Sequence, residues 1–328
     1  MRHLRWIPLL ILLTCTQATQ QKRLSYEAIE ENRLKITEEI ERSVLKVTCS
    51  TYYRNYYFSF PENVSEPFDQ DALLTQRNMS TSSVAGTGLI IYQDNRRQLI
   101  LTCHHVFDFP DTLDSYYLDA NILKTPYLNT RSVKYGQNIL VFHKNAKSSK
   151  AEIVAMDKAN DLALIETSLD AFTLTELPFK GSFISGDQIR LGQEIYLIGF
   201  PKGFLMVTRG LASPSRIRNK FMVDAPFNRG FSGGVVLVFD YDTQNFHIAG
   251  IANSIAYNSE TVLAPSSEVT LNEDIQKIPY QGHVYPKELK LLNYGVTYVI
   301  KSDYIVEFLN NQKELLEERG YNSSNLSF

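Results

Sequence analysis

The chain has 328 residues, of which 44% are apolar, 21% charged and 12% aromatic. That composition supports one large core or two modest ones, and it excludes a disordered chain and a multispan membrane protein. With 33 basic and 36 acidic side chains the formal charge is -3, so overall charge gives nucleic-acid binding no support.

The first residues carry the pattern of a secretory signal. Arg2, His3 and Arg5 precede the short apolar run Trp6 to Leu13, and Thr16-Gln17-Ala18 suits cleavage after Ala18. The run contains Pro8 and is too short to span a bilayer, so the mature chain is expected to have no transmembrane span and to be secreted or periplasmic. Leu12-Leu13-Thr14-Cys15 leaves lipid anchoring at Cys15 as the alternative. Processing would leave Cys49 and Cys103, as one disulfide or two buried free thiols.

Residues 25 to 43 predict an amphipathic helix, with Ile29, Leu34, Ile36 and Ile40 among many glutamates. Val44 to Cys49 reads as a strand. The aromatic run Tyr52 to Phe60 suits strand or packing positions, and Ser59 to Ser83 reads as a long polar surface insertion. Gly86 to Tyr92 and Leu99 to Thr102 flank a hairpin turn at Asp94 to Arg97. Further strands are predicted at Ile139 to Phe142, Ala151 to Met156, Leu162 to Glu166, Glu194 to Gly199, Phe221 to Ala225, Val235 to Phe239, His247 to Ala252 and Gly295 to Ile300. Ser302 or Asp303 is placed as the cap of a terminal helix whose apolar face is Ile305, Phe308, Leu309, Leu315 and Leu316. Many short strands without βα alternation favour β-barrels or a sandwich, with a division at roughly 175 to 190.

Gly230-Phe231-Ser232-Gly233-Gly234 is the strongest chemical signal. Glycines permit a tight turn that exposes the Ser232 hydroxyl and aims backbone N–H groups, here those of Gly230 and Ser232, at a developing oxyanion. A serine needs a base, and Thr102-Cys103-His104-His105-Val106 follows a predicted strand. Asp161, opening the strand Leu162 to Ile165, is placed to orient His105 and stabilise its charged form. His104 is the competing base. The adjacent histidines have no convincing metal-ligand spacing, so no metal site is expected.

These motifs, in this order, resemble trypsin-like serine proteases of the chymotrypsin fold, and more closely the HtrA or Deg type. Ala85 to Gly88 is similar to the family's Gly-Thr-Gly hairpin, Thr102 to Val106 to its histidine motif with His105 as base, Asp161 to Leu164 to its aspartate motif, and Asp224 to Gly234 to its nucleophile turn. The resemblance implies a mainly β fold of two six-stranded antiparallel β-barrels with N-terminal and C-terminal helices. The expected division is a signal peptide at 1–18, a helical lead at 19–43, barrels at 44–180 and 181–300, and a C-terminal helix and tail at 301–328. It also implies that Gly250, Ile251 and Ala252 flank the substrate, and that Pro226 and Phe227 line the primary pocket. Pro226 offers no carboxylate, so an apolar substrate side chain is expected rather than Arg or Lys.

The departures are Phe231 before the serine, Val235 after the paired glycines, Cys103 in the histidine motif, and a long segment from Asp108 to Tyr135 that either covers the cleft or packs as an insertion. Too few residues follow the last helix for the family's PDZ domain. The function expected is a serine endopeptidase acting on protein or peptide substrates, with no cofactor. The alternative is an inactive, protease-like binding or regulatory protein. Oligomerisation through the N-terminal helix or the aromatic insertion is left open.

Overall fold

The computed structural model describes residues 26–60, 74–119, 124–144, 147–169, 177–265 and 284–322. The expected signal segment, Ala18 and Cys15 lie outside them, as does the end of the tail. Among the described residues no helix is long and apolar enough to cross a membrane.

Helix α1 (Tyr26–Glu41) leads into the first barrel, made of β1 (Val44–Phe58), β2 (Leu74–Gln93), β3 (Arg97–Cys103), β5 (Lys124–Phe142), β6 (Ser148–Asp157) and β7 (Leu162–Ser168). The order β1-β2-β3-β7-β6-β5 closes through β1–β5 pairing, and β4 (Thr112–Leu118) adds to the outer edge of β5. Side chains along β1 alternate between the two faces, with Val47, Cys49, Thr51, Tyr53 and Asn55 buried. The unbroken apolar runs Leu99-Ile100-Leu101 and Leu162 to Ile165 are buried throughout, as befits strands covered on both faces.

The second barrel is a closed ring of β8 (Glu194–Gly199), β9 (Met206–Pro214), β10 (Lys220–Val223), β11 (Val235–Asp240), β12 (Asn245–Pro265) and β13 (Val284–Lys301), in the order β10-β13-β12-β11-β8-β9. Two six-stranded antiparallel barrels with helices at both ends are the architecture that the resemblance implied.

Several elements differ from the sequence expectation. From Leu74 onward the polar insertion is strand: Leu74 to Ser83 pairs with Phe58 back to Ser50. Serines, asparagines and threonines on an exposed ribbon lack the apolar alternation that marks a half-buried strand. In the segment Asp108 to Tyr135, residues 112–118 and 124–135 form sheet, β4 and the first half of β5 widening the first barrel's wall, which is the packed alternative. At the terminal helix α2 (Ser302–Asn311), Lys301 occupies the N-cap and neither expected residue caps it. Ser302 Oγ donates to the Ile184 carbonyl, and the Asp303 carboxylate accepts from the Gly186 N–H and Ser185 Oγ, each at 2.7 Å. Both side chains thus fasten the helix to the inter-barrel segment. Cys49 and Cys103 are free and buried.

Ile305, Phe308 and Leu309 of α2, and Leu316 of α3 (Lys313–Glu318), belong to the apolar core of the first barrel. A separate cluster joins Val44 and Leu89 of the first barrel to Ile198, Val235 and Leu237 of the second. Ile36 and Ile40 of α1 pack on it.

Candidate active site

The site lies where the two barrels meet. β3 ends at Cys103, and a single 3₁₀ turn, His104–Val106, then lifts His105 from the wall. The adjacent β7 is preceded by Asp161, whose φ of 58° is a left-handed conformation that aspartate tolerates better than most residues. This backbone turn directs both ends of Asp161 at the histidine turn: its carbonyl accepts the His104 N–H at 3.1 Å, and its Oδ1 accepts the His105 N–H at 2.8 Å.

His105 Nδ1 lies 2.7 Å from Asp161 Oδ2, and His105 Nε2 lies 2.8 Å from Ser232 Oγ. An Nδ1–H donated to the carboxylate leaves Nε2 as an acceptor for the serine hydroxyl. His105 is the base position, therefore, while the His104 side chain is buried. Burial pushes the Asp161 carboxyl up, but the hydrogen bonds and charge of His105, the His105 N–H and the Asn253 amide outweigh it, so the group sits below the ordinary carboxylate value. Asp161 therefore stays ionised beside the imidazole.

The nucleophile turn is held by close backbone contacts. Gly230 has φ 103°, and a Cβ there would stand 2.3 Å from the Phe200 carbonyl oxygen; at Gly233, φ 85°, it would stand 2.0 Å from that of Thr87. Neither position admits another L-residue without moving backbone. Phe231 N–H donates to the Asn228 carbonyl at 3.1 Å. Among the described residues no backbone acceptor faces the N–H groups of Gly230 and Ser232. The two departures in this motif point away from the hydroxyl: Phe231 is buried against Phe227 at 5.9 Å between ring centroids, and Val235 is buried in β11.

Two contributors were not legible as site residues. Asn253, just beyond the segment expected to flank the substrate, donates from Nδ2 to Asp161 Oδ2 and places its carbonyl 3.3 Å from Ser232 Oγ. Its Oδ1 accepts from Lys220 Nζ at 2.6 Å. Thr87 supports the turn from the first barrel. Its N–H donates to the Ser232 carbonyl at 2.7 Å, and its Oγ1 donates to the Gly230 carbonyl at 2.6 Å while accepting the Phe200 N–H at 2.9 Å. Asn253 sits among apolar strand residues and Thr87 between two glycines, contexts that name a strand and a turn but no partner in the other barrel.

The expected substrate-side residues are distributed differently. Gly250 and Ile251 pair with β11 on one edge and β13 on the other, and Ala252 bonds to Gly233 and Gly234 as well as facing Val299. This corrects the expectation for Gly250, Ile251 and Ala252: neither edge is left for a peptide, and an open edge begins only at Asn253. Pro226 is exposed, whereas Phe227 is buried in the second barrel's core. Asp224 Oδ1 accepts the Leu211 N–H.

Among the described residues, the His, Cys, Asp and Glu side chains close enough to share an ion are Cys103, His105 and Asp161. Burial, then the Asp161 charge, pushes the Cys103 thiol well above its ordinary value, which disfavours the thiolate that a metal requires. The trio fits proton transfer better than metal binding.

Solved structures with detectable similarity include the HtrA-type protease AlgWS227A with decapeptide, at 17% identity and TM-score 0.46, covering 86% of this chain and 66% of that one. The HtrA-type protease AlgW with tripeptide aligns at 15% identity and TM-score 0.45, covering 85% and 62%. This chain therefore spans less than two thirds of the length of either. No curated protein matches it. Residues 86–243 match the family model of the trypsin-like peptidase domain. That stretch contains Thr87, His105, Asp161 and Ser232 in the geometry above, so the matched part of the chain is similar to that domain in its site as well as its sequence.

Proposed function

We propose that the protein is a serine endopeptidase working through an acyl-enzyme. The observation that carries this reading is the continuous hydrogen-bond line from Asp161 through His105 to Ser232. His105 Nε2 takes the hydroxyl proton as Ser232 Oγ attacks the peptide carbonyl, and the N–H groups of Gly230 and Ser232 donate to the oxyanion. His105 then protonates the leaving amine. Water, deprotonated by the same imidazole, cleaves the acyl-enzyme and restores Ser232. Asp161 remains a carboxylate throughout and stabilises the imidazolium.

The proposed barrel division at 180 assigns His105 and Asp161 to one barrel and Ser232 to the other, so substrate binds along their junction. With Asp224 committed to Leu211 and no carboxylate at Pro226, an apolar side chain is the proposed primary preference. The basic, apolar and cleavage segments of the first 18 residues support secretion or a periplasmic location.

A fluorophosphonate probe tests the chemistry. Covalent labelling at Ser232 and cleavage of an unfolded protein substrate are expected. Both are lost in Ser232→Ala, and turnover falls by about 10⁴ or more in His105→Ala. Absence of labelling in folded, processed protein would instead support the binding-protein alternative.

A further inference from the structure

A second serine, histidine and aspartate meet away from Ser232. Ser182 lies between β7 and β8, and its Oγ is 2.6 Å from His247 Nδ1. Across the ring, His247 Nε2 is 3.6 Å from Asp240 Oδ2. His247 and Asn253 are separated by about 20 Å along β12, so this group is distinct from the site where the barrels meet.

Strand register builds the group. His247 pairs with Val238 and Asn245 with Asp240, so alternation sets Asp240 and His247 as diagonal neighbours on one face of the β11–β12 hairpin. Backbone bonds to β12 hold Ser182 in place. Its carbonyl accepts the Ile248 N–H at 2.8 Å, and the Ile184 N–H donates to the Ile248 carbonyl at 2.9 Å. Asp240 is fixed in turn, its Oδ2 accepting from Thr243 Oγ1 at 2.7 Å and its Oδ1 from the Asp242 N–H at 2.8 Å. Those bonds, Thr243's above all, hold its carboxyl below the ordinary value, and it stays ionised beside the ring.

The ring is used the other way round from that of His105. An Nε2–H facing Asp240 leaves Nδ1 to accept the Ser182 hydroxyl. The imidazole is then placed to take that proton, and the carboxylate to stabilise the charge it acquires. Ser182 is exposed and lines a cavity of about 650 Å³, together with Gln188, Arg190, Phe239 and Tyr241.

We propose that Ser182 is a second acyl-accepting nucleophile, with His247 as its base, acting on small carboxylic esters of acidic alcohols such as phenols. As Ser182 Oγ bonds to the acyl carbon, its proton passes to His247 Nδ1. The ester C–O bond breaks, and the leaving oxygen takes that proton. Water deprotonated by the same nitrogen then releases the carboxylic acid and restores the serine. The side-chain N–H groups of Arg190 and Gln188 are the donors to the oxyanion. They stand on flexible side chains rather than a glycine-fixed backbone turn, so acylation is slower than at Ser232 and requires a good leaving group. Asp240 acts through His247 and is a positioning residue.

Acetylation of Ser232→Ala protein by p-nitrophenyl acetate tests this without the first site. Initial rates are read residue by residue from mass spectra of the digest. Ser182 is expected to react about 10²-fold faster than Ser80, an exposed serine bonded to the Asn55 amide oxygen. His247→Gln keeps an acceptor for the hydroxyl but no base, and is expected to lower the Ser182 rate by about 10²-fold. Asp240→Asn is expected to lower it several-fold and Asp240→Glu to restore most of the loss. Far-UV circular dichroism checks the fold of each variant. Acetyl confined to lysines, equal rates at Ser182 and Ser80, or a Ser182 rate unmoved in folded His247→Gln overturns the proposal. If Ser182 reacts while wild-type Ser232 resists the fluorophosphonate, this site stands and the endopeptidase reading falls. With Ser232 reactive and Ser182 inert, the reverse holds.

Discussion

At the scale of single residues, the site depends on a charge that touches neither substrate nor serine. Lys220 Nζ holds Asn253 Oδ1, and Asn253 Nδ2 in turn holds Asp161. Lys220→Met leaves the Asn253 amide without its cationic partner, so kcat is expected to fall several-fold with KM little changed. Lys220→Arg should restore most of the loss, and an unchanged kcat in Lys220→Met would show that Asn253 needs no charge behind it. Thr87 presents the complementary case of a neutral support. In Thr87→Val the Gly230 carbonyl and Phe200 N–H lose a buried partner, for an expected loss of about 2–3 kcal/mol in urea unfolding together with reduced Ser232 labelling. His105, Asp161 and Ser232 were legible because each closes or opens a strand in a distinctive local context. Lys220, Asn253 and Thr87 were not, because their roles arise only where side chains from separate strands meet.

At the scale of elements, buried strands announced themselves and exposed ribbons did not. β8 was read with its observed limits, Glu194–Gly199, because five of its six residues are buried. β9 was missed: Met206 and Leu211 are exposed apolar residues interrupted by Arg209 and Gly210, which hides any alternation. The same physics concealed the outer halves of β2, β12 and β13, whose polar faces are stabilised by cross-strand pairing rather than by burial. The terminal helix was legible from its apolar face, but its anchor was misread as a cap. Burial pushes the Asp303 carboxyl up, yet the bonds from Ser185 and Gly186 and the charge of Lys301 leave it below its ordinary value. A depressed carboxylate contributes stability above its unfolded pKa and loses it as pH falls through the folded value. Asp303→Asn is therefore expected to cost about 1 kcal/mol at neutral pH, a modest figure because the group is solvent-exposed, and the difference from wild type should close in acid. Parallel urea titrations across pH 2–7 measure it, and a gap that persists at the acid end would assign the effect to packing.

At the scale of the whole molecule, the helices cross over. α1 precedes the first barrel but packs beside Tyr196 and Phe246 of the second, whereas α2 and α3 follow the second barrel but bury Ile305, Phe308, Leu309 and Leu316 in the first. Tyr321 completes the latter contact: its ring packs on Tyr92 at 5.1 Å, its hydroxyl donates to Glu166, and the Arg97 guanidinium lies 3.8 Å over its face. These reciprocal straps matter because the chemistry is divided, with His105 on one barrel and Ser232 on the other. Truncating a strap residue should therefore damage stability and the site together. Leu309 is fully buried, so Leu309→Ala leaves a cavity in the first barrel's core and is expected to lose about 2–5 kcal/mol of unfolding free energy. Tryptophan-independent far-UV circular dichroism and fluorophosphonate labelling of Ser232 can be followed through the same urea titration. Their midpoints are expected to coincide in wild type and to shift downward together in Leu309→Ala, because a serine separated from His105 has no base. If labelling instead survives at urea concentrations where the first barrel has melted, the second barrel holds a reactive serine alone, and the straps serve folding without serving the site.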